Sequence, residues 1–380
     1  MRIFVLDITS RNADQYDPQL CNKLSEYAPL GSEVILLSNS LKTEQRLFKF
    51  IKLLDLIPRR FMTSKSKIKK AVRFFEVCLN YIFILFYCAI KKPDILHIQW
   101  LTLIDICSGE KYIISLLKFL SSKTKVYLTI HNIFPHDMPT SKYNAYKKRF
   151  LSVSSSIDGF FVHLNSAKEE AVKCLNLPKE RIFVTYHGIY VRNSSVISSC
   201  NSIDKFRIIM YGIQNRYKGT DILMESLKLL PPKYLENVFV HIIGKTDPSI
   251  YNEYQNMIDN VHVKWDNAYV SNDYLDQSIN NSDLIILPYR KISQSGVLLL
   301  ALSCNKPILT SNLPSFVETL DGYKTEWFFE SEDARSLSEK IIHHMDGTIN
   351  KAEQLSIINS LVSKYSWENT AKATLKAYNK

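Results

Sequence analysis

Short apolar segments and longer stretches of helical periodicity alternate along the first half of the chain. The apolar runs of strand length lie at 3–8, 33–37, 95–98, 126–130, 159–164 and 182–185. Most of them are followed by a segment in which apolar residues recur every three or four positions, the first at about 15–27. This βα alternation predicts a doubly wound parallel sheet.

The alternation starts again after a polar stretch at 191–204, which has the composition of a linker. Further strands are predicted at 207–211, 238–243, 262–264, 284–287 and 327–329. Helices are predicted at 220–230, 272–281, 297–304 and 334–345, with a helical tail at 352–380. A chain of 380 residues is also too long for one ordinary core. We therefore expect two α/β domains, 1–190 and 205–364, joined by 191–204.

Polar residues follow several strands of the first domain where each strand ends. They are Asp7, His97, Gln99, Trp100, His131, Asn132, Asn165 and Ser166. The carboxyl ends of parallel strands share one edge of the sheet, and ligands of open α/β sheets bind at that edge. This edge is therefore a candidate binding site.

The stretch 282–317 contains a strand, a polar loop, an apolar helix and a second strand in close succession. Ser295 is the predicted N-cap of the helix, and Gly296 would let a ligand come close to the backbone. Free N–H groups at such a helix start can bind an anion. The alternative, that Ser295 only caps a core helix, stays open on this pattern alone.

The positive charge is concentrated in the first half of the chain. Residues 1–192 hold 29 Lys and Arg against 16 Asp and Glu, a net charge of +13, whereas the remainder has −2. A basic segment at 59–73 precedes an apolar run at 79–90, which is too short to span a bilayer and is expected to form a buried core helix. The two together predict either attachment to an anionic membrane surface or a solvated basic face. No nucleic-acid-binding motif is present, so we expect no nucleic-acid partner.

The seven cysteines are scattered, odd in number and free of C-x-x-C spacing, which favours a reducing compartment and no zinc site. The N-terminus reads as a first strand and not as a signal peptide. We therefore expect a cytoplasmic protein, peripheral on the inner face of the plasma membrane.

The loop Gly212–Gly219 joins a strand to a helix and contains Arg216 and Lys218. Amide donors, the positive end of the helix and two cations suit a diphosphate. A surface loop with two basic residues is, however, common. No Walker A sequence occurs, and no G-x-G-x-x-G follows the first strand, which speaks against an ordinary P-loop and a dinucleotide enzyme.

His131 directly follows a buried strand, with His136 and Asp137 a few residues on. The imidazole can hydrogen-bond a sugar hydroxyl or move a proton, and Asp137 can orient a donor or an acceptor. A single histidine at a strand end is more often structural, but two histidines and an aspartate within seven residues favour function. His97 and His163 end other strands of the same sheet.

These features, in their order along the chain, resemble a GT-B glycosyltransferase of family 4. The residues that carry the resemblance are His131, the loop Gly212–Gly219 with Lys218, 241–245, 283–290, Gly296, Ala301 and 306–308. The fold implied is two Rossmann-like domains facing a cleft, with a C-terminal helix at 365–380, containing Trp367, that crosses back to the N-domain.

The resemblance implies a nucleotide-diphosphate-sugar donor in the C-domain, an acceptor in the N-domain and no cofactor or bound metal. His131 and Asp137 are the catalytic candidates, and His97 and His136 are the acceptor-binding candidates. Donor-binding roles fall on Gly212, Arg216, Lys218, Gln294, Ser295, Gly296 and Val297. Arg216 is the weaker phosphate ligand, because the family's arginine follows the first glycine of the loop, where Ile213 stands here.

One departure concerns a pair of glutamates that the family commonly has seven residues apart. Ile292 and Leu300 stand at the matching positions, and neither side chain accepts a hydrogen bond. Gln294 and Ser295 are left to carry part of that recognition. The departure puts the donor and the stereochemical outcome in doubt more than the fold.

The function expected is transfer of a sugar from a nucleotide-diphosphate-sugar to a lipid-linked or polysaccharide-precursor acceptor, hexosyltransferase-like, retaining and metal-independent, in surface polysaccharide biosynthesis. An alternative from another class is a non-catalytic GT-B relative that acts as a binding or scaffold protein in a polysaccharide assembly complex. A nucleotide-sugar epimerase of the same fold ranks last, since it needs acid and base carboxylates in the cleft.

Overall fold

A computed structural model describes residues 1–8, 16–41, 46–56, 67–135, 138–190, 205–255 and 262–380, with the side chains of 67–70 excepted. It divides into two compact units, one of Met1–Gly188 with Ser366–Lys380 and one of Ile189–Tyr365. The predicted linker at 191–204 and the basic residues at 59–66 lie outside the described residues.

The first unit is built on a parallel sheet, which has seven strands in the described part of the chain, in the order β3-β2-β1-β4-β5-β6-β7. Their bounds are β1 Arg2–Asp7, β2 Glu33–Ser38, β3 Lys49–Lys52, β4 Ile95–Ile98, β5 Lys125–Thr129, β6 Gly159–Val162 and β7 Ile182–Val184. Those that lie inside the sheet are almost wholly apolar, as strands buried on both faces require.

The helices of this unit are α1 Tyr16–Tyr27, α2 Lys67–Lys91, α3 Glu110–Leu120, α4 Tyr143–Ser154, α5 Asn165–Leu175 and, from the end of the chain, α14 Trp367–Tyr378. Residues of α2 to α5 share one apolar core with the sheet. Helix α1 packs against α14. The first unit is thus completed by residues from both ends of the sequence.

The second unit repeats the design with a smaller parallel sheet, whose described strands have the order β10-β9-β8-β11-β12. The strands are β8 Phe206–Tyr211, β9 Val238–Ile243, β10 Val263–Asp266, β11 Leu284–Leu287 and β12 Ile308–Thr310. The helices are α6 Thr220–Lys228, α7 Pro232–Leu235, α8 Pro248–Tyr254, α9 Asn272–Asn280, α10 Gly296–Ser303, α11 Pro314–Thr319, α12 Ala334–Met345 and α13 Lys351–Lys364. The strand order changes direction between β8 and β11, and both strands run into loops that carry candidate residues.

One predicted element is wrong. The strand expected at 327–329 is instead the end of a short 3-10 helix, Thr325–Trp327, followed by a single bridge between Phe329 and Ser311. The tail predicted at 352–380 is helical. It forms two helices, α13 and α14, because Ser366 caps α14 by accepting a hydrogen bond from the backbone N–H of Asn369.

Helix α2 also differs from the buried core helix that was expected. It is 25 residues long. One side of the helix packs on the sheet, and the other side exposes large apolar side chains to solvent. Within it, Ala71–Lys91 is long and apolar enough, by length and composition, to cross a membrane.

Candidate functional site

The loop between β8 and α6 is shaped by two glycines in the left-handed region. Gly212 has φ +101° and Gly219 has φ +72°. A Cβ at Gly219 would lie 1.8 Å from the carbonyl oxygen of Pro288, so the loop passes directly against the end of β11. Between the glycines, Arg216–Lys218 forms one turn of 3-10 helix. This turn sets the direction of the Lys218 side chain.

Lys218 is a buried cation. Its side chain is 6% exposed, and its ammonium lies so close to Gly212 that a Cβ there would be 2.8 Å from Nζ. Nζ also lies 5.2 Å from the ring centroid of Tyr289, a cation–π contact. Burial lowers the pKa of the ammonium, since the charged form loses its hydration. Among the residues that the structure describes, no carboxylate forms an ion pair with it.

The start of helix α10 lies beside the same glycine. Ser295 caps the helix and accepts a hydrogen bond from the N–H of Leu298 at 3.1 Å. Val297 Cγ2 would be 3.3 Å from a Cβ at Gly212, and the carbonyl of Val297 accepts a hydrogen bond from Tyr211. The first amides of α10 therefore lie near the buried ammonium.

The N-cap predicted at Ser295 is confirmed. Gly296 is exposed, and a Cβ there would meet no atom within 4 Å, so folding alone does not require glycine at this position.

Arg290 holds the loop from the side of β11 and was not anticipated from the sequence. Its guanidinium makes two 2.7 Å hydrogen bonds to the carboxylate of Asp221 and a third, also 2.7 Å, to the carbonyl of Arg216. Its backbone N–H donates to the carbonyl of Tyr217 at 2.8 Å. A fixed, bidentate pair of this kind restricts the turn that carries Lys218.

Two other donor-binding candidates are less closely placed. Arg216 is exposed. Hydrogen bonds from Ser249 lower the pKa of Asp247, and the charge of Arg216 adds to this effect. Gln294 is half-buried immediately before the cap. Of the positions where glutamates were expected, Ile292 uses its carbonyl to accept a hydrogen bond from Ser315, and Leu300 is half-buried in α10.

In the first unit, His131 belongs to a chain of hydrogen bonds at the carboxyl edge of the sheet. The carbonyl of Thr185 accepts from His163 Nδ1 at 2.8 Å, so the neutral His163 ring presents its Nε2 as an acceptor. Burial lowers the pKa of His163 to about 4, which keeps this ring neutral. His131 Nδ1, 3.3 Å away, therefore donates to it. The other nitrogen, His131 Nε2, lies 3.2 Å from Gln99 Oε1 and can donate to that oxygen only when it carries a proton of its own.

The His131 ring is enclosed by aromatic residues but remains half-exposed. Trp100 stacks on it with ring centroids 4.6 Å apart, and Tyr16 meets it edge-on at 5.1 Å. An imidazole whose Nδ1 is fixed and whose Nε2 faces an amide can accept or release a proton at Nε2. Gln99 and Trp100 directly follow a strand predicted at 95–98. Their position at the end of that strand is the sequence feature that places them at this edge of the sheet.

His97 has a different environment from the acceptor-contacting one that was expected. It is 1% exposed, and its two ring nitrogens lie 2.6 Å from the Tyr378 hydroxyl and 2.7 Å from Thr129 Oγ1. Burial lowers the pKa of His97 to about 3. Its geometry is that of a structural residue and leaves no ring nitrogen for an acceptor.

A cavity of about 250 Å³ opens beside His131. Most of its wall is apolar, and the remainder is supplied by residues at the end of β5 and by Asp105. The lining includes Trp100, Ile104, Leu128, His131, Asn132 and Phe150. Ligand pockets with an apolar wall and a few polar groups have this character. The candidates His136 and Asp137 lie outside the described residues, next to Pro135 in the lining.

Proteins of known structure share the fold of this chain. A glycosyltransferase from Rickettsia africae ESF-5 superposes with a TM-score of 0.67 at 16% identity, covering 100% of this chain and 97% of that one. The Anabaena protein HepE in complex with UDP superposes with a TM-score of 0.70 at 12% identity, covering 99% of both chains. The two parallel α/β units thus constitute a GT-B fold.

Sequence comparison finds further similarities. Residues 199–358 match the family described as glycosyl transferases group 1. A GDP-mannose:glycolipid 4-beta-D-mannosyltransferase from Xanthomonas campestris pv. campestris is 22% identical over 264 residues, which are 66% of this chain and 71% of that protein.

Proposed function

We propose that the protein transfers a sugar from a nucleotide-diphosphate-sugar donor to a lipid-linked or polysaccharide-precursor acceptor in surface polysaccharide biosynthesis. The match of 199–358 to glycosyl transferases group 1 and the GT-B fold support glycosyl transfer. The donor nucleotide is proposed from a class that includes UDP, which is bound to the Anabaena relative, and GDP-mannose, which is named for the Xanthomonas one.

The observation that carries the donor assignment is the buried ammonium of Lys218. A buried charge without a partner is costly, and an anion that binds there recovers much of that cost. The amides at the start of α10 add donors and the positive end of the helix dipole on the same side of Gly212. A diphosphate fits both.

The first unit is proposed to bind the acceptor at the cavity beside His131. Its apolar wall suits the hydrophobic part of a lipid-linked acceptor, while His131 offers a group able to bind the transferred sugar or to shift a proton. The Xanthomonas relative is named for a glycolipid acceptor.

In the reaction proposed, the bond between the anomeric carbon of the sugar and the diphosphate oxygen breaks as an acceptor hydroxyl attacks that carbon from the same face and passes its proton to the departing diphosphate oxygen. The leaving diphosphate gains negative charge, which Lys218 and the α10 amides stabilise in place of a metal. We expect retention of configuration at the sugar and activity in the presence of a metal chelator.

The test is donor binding by Lys218→Ala. Titration calorimetry with UDP, GDP and their common sugar conjugates is expected to show binding by the native protein. The variant is expected to lose about 1.5–3 kcal/mol, the contribution of a charge-assisted contact.

The matched control is Lys228→Ala, which removes an exposed lysine paired with Glu225 elsewhere in the same unit. Its donor affinity is expected to equal that of the native protein. If Lys218→Ala binds as tightly as this control, the assignment of Lys218 is wrong. Donor binding without any transfer would instead favour a non-catalytic, scaffolding relative.

A further inference from the structure

Helix α2 exposes an apolar surface that the described residues of its own unit leave uncovered. Phe86 is 66% exposed and Ile90 is 75% exposed. Along the helix the exposed large side chains recur at intervals of three, four, seven and eight, which places them on one side. They are Phe74, Phe75, Ile82, Phe83, Phe86 and Ile90, called here the α2 stripe.

Helix α3 adds to this surface. It packs against α2, and the hydroxyl of Tyr81 in α2 donates a hydrogen bond to the carboxylate of Glu110 in α3. Both helices cover the same core of the sheet. The exposed apolar side chains of α3 are Tyr112, Leu116, Phe119 and Leu120. A soluble surface seldom carries so many neighbouring large apolar groups without a partner.

The opposite side of α2 is fixed to the unit by buried polar contacts. Asn80 exchanges two hydrogen bonds with the backbone of Leu54, at 2.9 and 3.1 Å. The buried carboxylate of Glu76 accepts from the N–H of Leu56 at 2.7 Å and pairs with Arg73. A helix that crossed a bilayer would have to give up these contacts and carry Glu76 and Asn80 into hydrocarbon.

Charge favours an anionic lipid surface over an apolar protein partner. Residues 59–92 hold nine Lys and Arg and one acidic residue, Glu76, which is buried. Lys91 and Lys92 are exposed at the end of the helix that carries Ile90. Apolar side chains flanked by basic ones are the pattern of helices that lie in the headgroup region.

We propose that the α2 stripe, together with the exposed face of α3, inserts into the interface of an anionic lipid bilayer, with α2 lying in the membrane plane and not spanning it. Such docking would bring the first unit to a lipid-linked acceptor, but it depends on no feature of the donor site.

The experiment is co-flotation of the full chain with vesicles of phosphatidylcholine alone or of equimolar phosphatidylcholine and phosphatidylglycerol, with no nucleotide sugar present. We expect binding to the anionic vesicles that weakens at high salt. Ile82→Glu and Phe86→Glu are each expected to lower the partition coefficient by about tenfold or more, since each removes a large apolar side chain from the bilayer and adds a negative charge.

The matched control is Tyr269→Glu, which changes an exposed aromatic residue of the second unit. It is expected to leave vesicle binding unchanged. A second readout needs no added charge: the tryptophan of Phe86→Trp should be quenched by brominated acyl chains, whereas that of Tyr269→Trp should not. Because Phe86 and Tyr269 are both exposed, neither replacement disturbs the core.

Four outcomes would overturn the proposal. They are no binding to anionic vesicles, equal losses in Phe86→Glu and Tyr269→Glu, resistance to alkaline carbonate extraction with protection of one side of α2 from protease, and a doubled mass in solution that Phe86→Glu abolishes. The third would indicate a spanning helix and the fourth a second copy of the chain. Since the assay contains no donor, none of them bears on whether the enzyme binds nucleotide sugars.

Discussion

Burial acts on two kinds of charge-bearing residue in this protein, with different results. Lys218 is buried without a carboxylate partner in the described chain and faces the start of a helix, an arrangement that suits an incoming anion. His97, His163 and His187 lie among aromatic rings, and burial keeps them neutral because it lowers the pKa of each ring. The histidines therefore contribute structure that depends on pH, whereas Lys218 contributes charge.

The pKa of His97, lowered to about 3, predicts acid sensitivity. Unfolded histidine titrates near 6.5, so between that value and about 3 the unfolded chain binds the proton and the native one does not. The contribution of His97 to the free energy of unfolding is fully present above pH 6.5 and is lost as the pH falls towards 3. Through His97 alone, the free energy of unfolding is about 2 kcal/mol lower at pH 5 than at pH 7.

His97→Gln removes the titration and keeps a polar side chain. Urea unfolding of the full chain at pH 7 and pH 5 should show a smaller loss of stability on acidification in the variant than in the native protein, by about 2 kcal/mol. Parallel losses in the two proteins would mean that His97 does not titrate in this way.

At the scale of elements, apolar runs were sufficient to predict the buried strands. The strands at 95–98, 238–243 and 284–287 were predicted with their observed bounds. Strand β3 was missed because its sequence, KFIK, is short and charged at both ends, and only pairing with β2 at the sheet edge makes it a strand. The exposed side of α2 was missed because an apolar helix gives the same pattern whether it is covered or not.

The candidate donor site was partly predictable for a similar reason. Local pattern indicated the loop Gly212–Gly219 and the cap at Ser295, and the structure brings Gly212, Lys218 and Val297 together. The pair between Arg290 and Asp221 joins residues 69 positions apart, and no local pattern predicts such a contact. The burial of His97 was not predicted, because Tyr378, which contacts its ring, comes from a distant part of the sequence.

The loop and the helix start predict opposite effects for two Gly→Ala substitutions. At Gly219 the added Cβ would overlap the Pro288 carbonyl in a left-handed conformation, so the variant should lose several kcal/mol of stability, more than the roughly 1–3 kcal/mol of backbone strain alone. At Gly296 there is open space in the first turn of α10, so Gly296→Ala should keep its stability or gain about 0.5–1 kcal/mol.

Nucleotide binding separates the two variants further. If a diphosphate approaches the α10 amides, Gly296→Ala should bind it more weakly although its thermal unfolding is unimpaired. Donor affinity equal to that of the native protein would show that the ligand does not come close to Gly296.

At the scale of the whole molecule, the first unit encloses the second one in sequence. The ring of Trp367 in helix α14 packs so closely on Gly188 that a Cβ added there would lie 2.2 Å from it. The hydroxyl of Thr370 in the same helix donates a hydrogen bond to the carbonyl of Tyr186. Tyr127 donates to the carbonyl of Ala377 at 3.2 Å. Completion of the first unit therefore has to wait for the last residues of the chain.

Trp367→Ala is expected to destabilise the first unit by about 3–5 kcal/mol, because it leaves a cavity between α14 and the segment around Gly188. Hydrogen exchange should show reduced protection in the strands of residues 1–188 and little change in those of 205–365. The reciprocal control is Trp327→Ala, which changes a buried residue of the second unit and should reduce protection there and not in residues 1–188. Uniform loss of protection across both units in Trp367→Ala would contradict separate units.

The central claim is glycosyl transfer that depends on Lys218, and one assay tests it directly. Radiolabelled UDP- and GDP-sugars are incubated with extracted lipid-linked acceptors and the native protein, Lys218→Ala or Lys228→Ala, and both labelled glycolipid and nucleoside diphosphate are measured. We predict equal amounts of the two products from one donor, unchanged in Lys228→Ala and reduced about tenfold or more in Lys218→Ala. Failure of the native protein to bind any donor or to release nucleoside diphosphate from it would contradict the account.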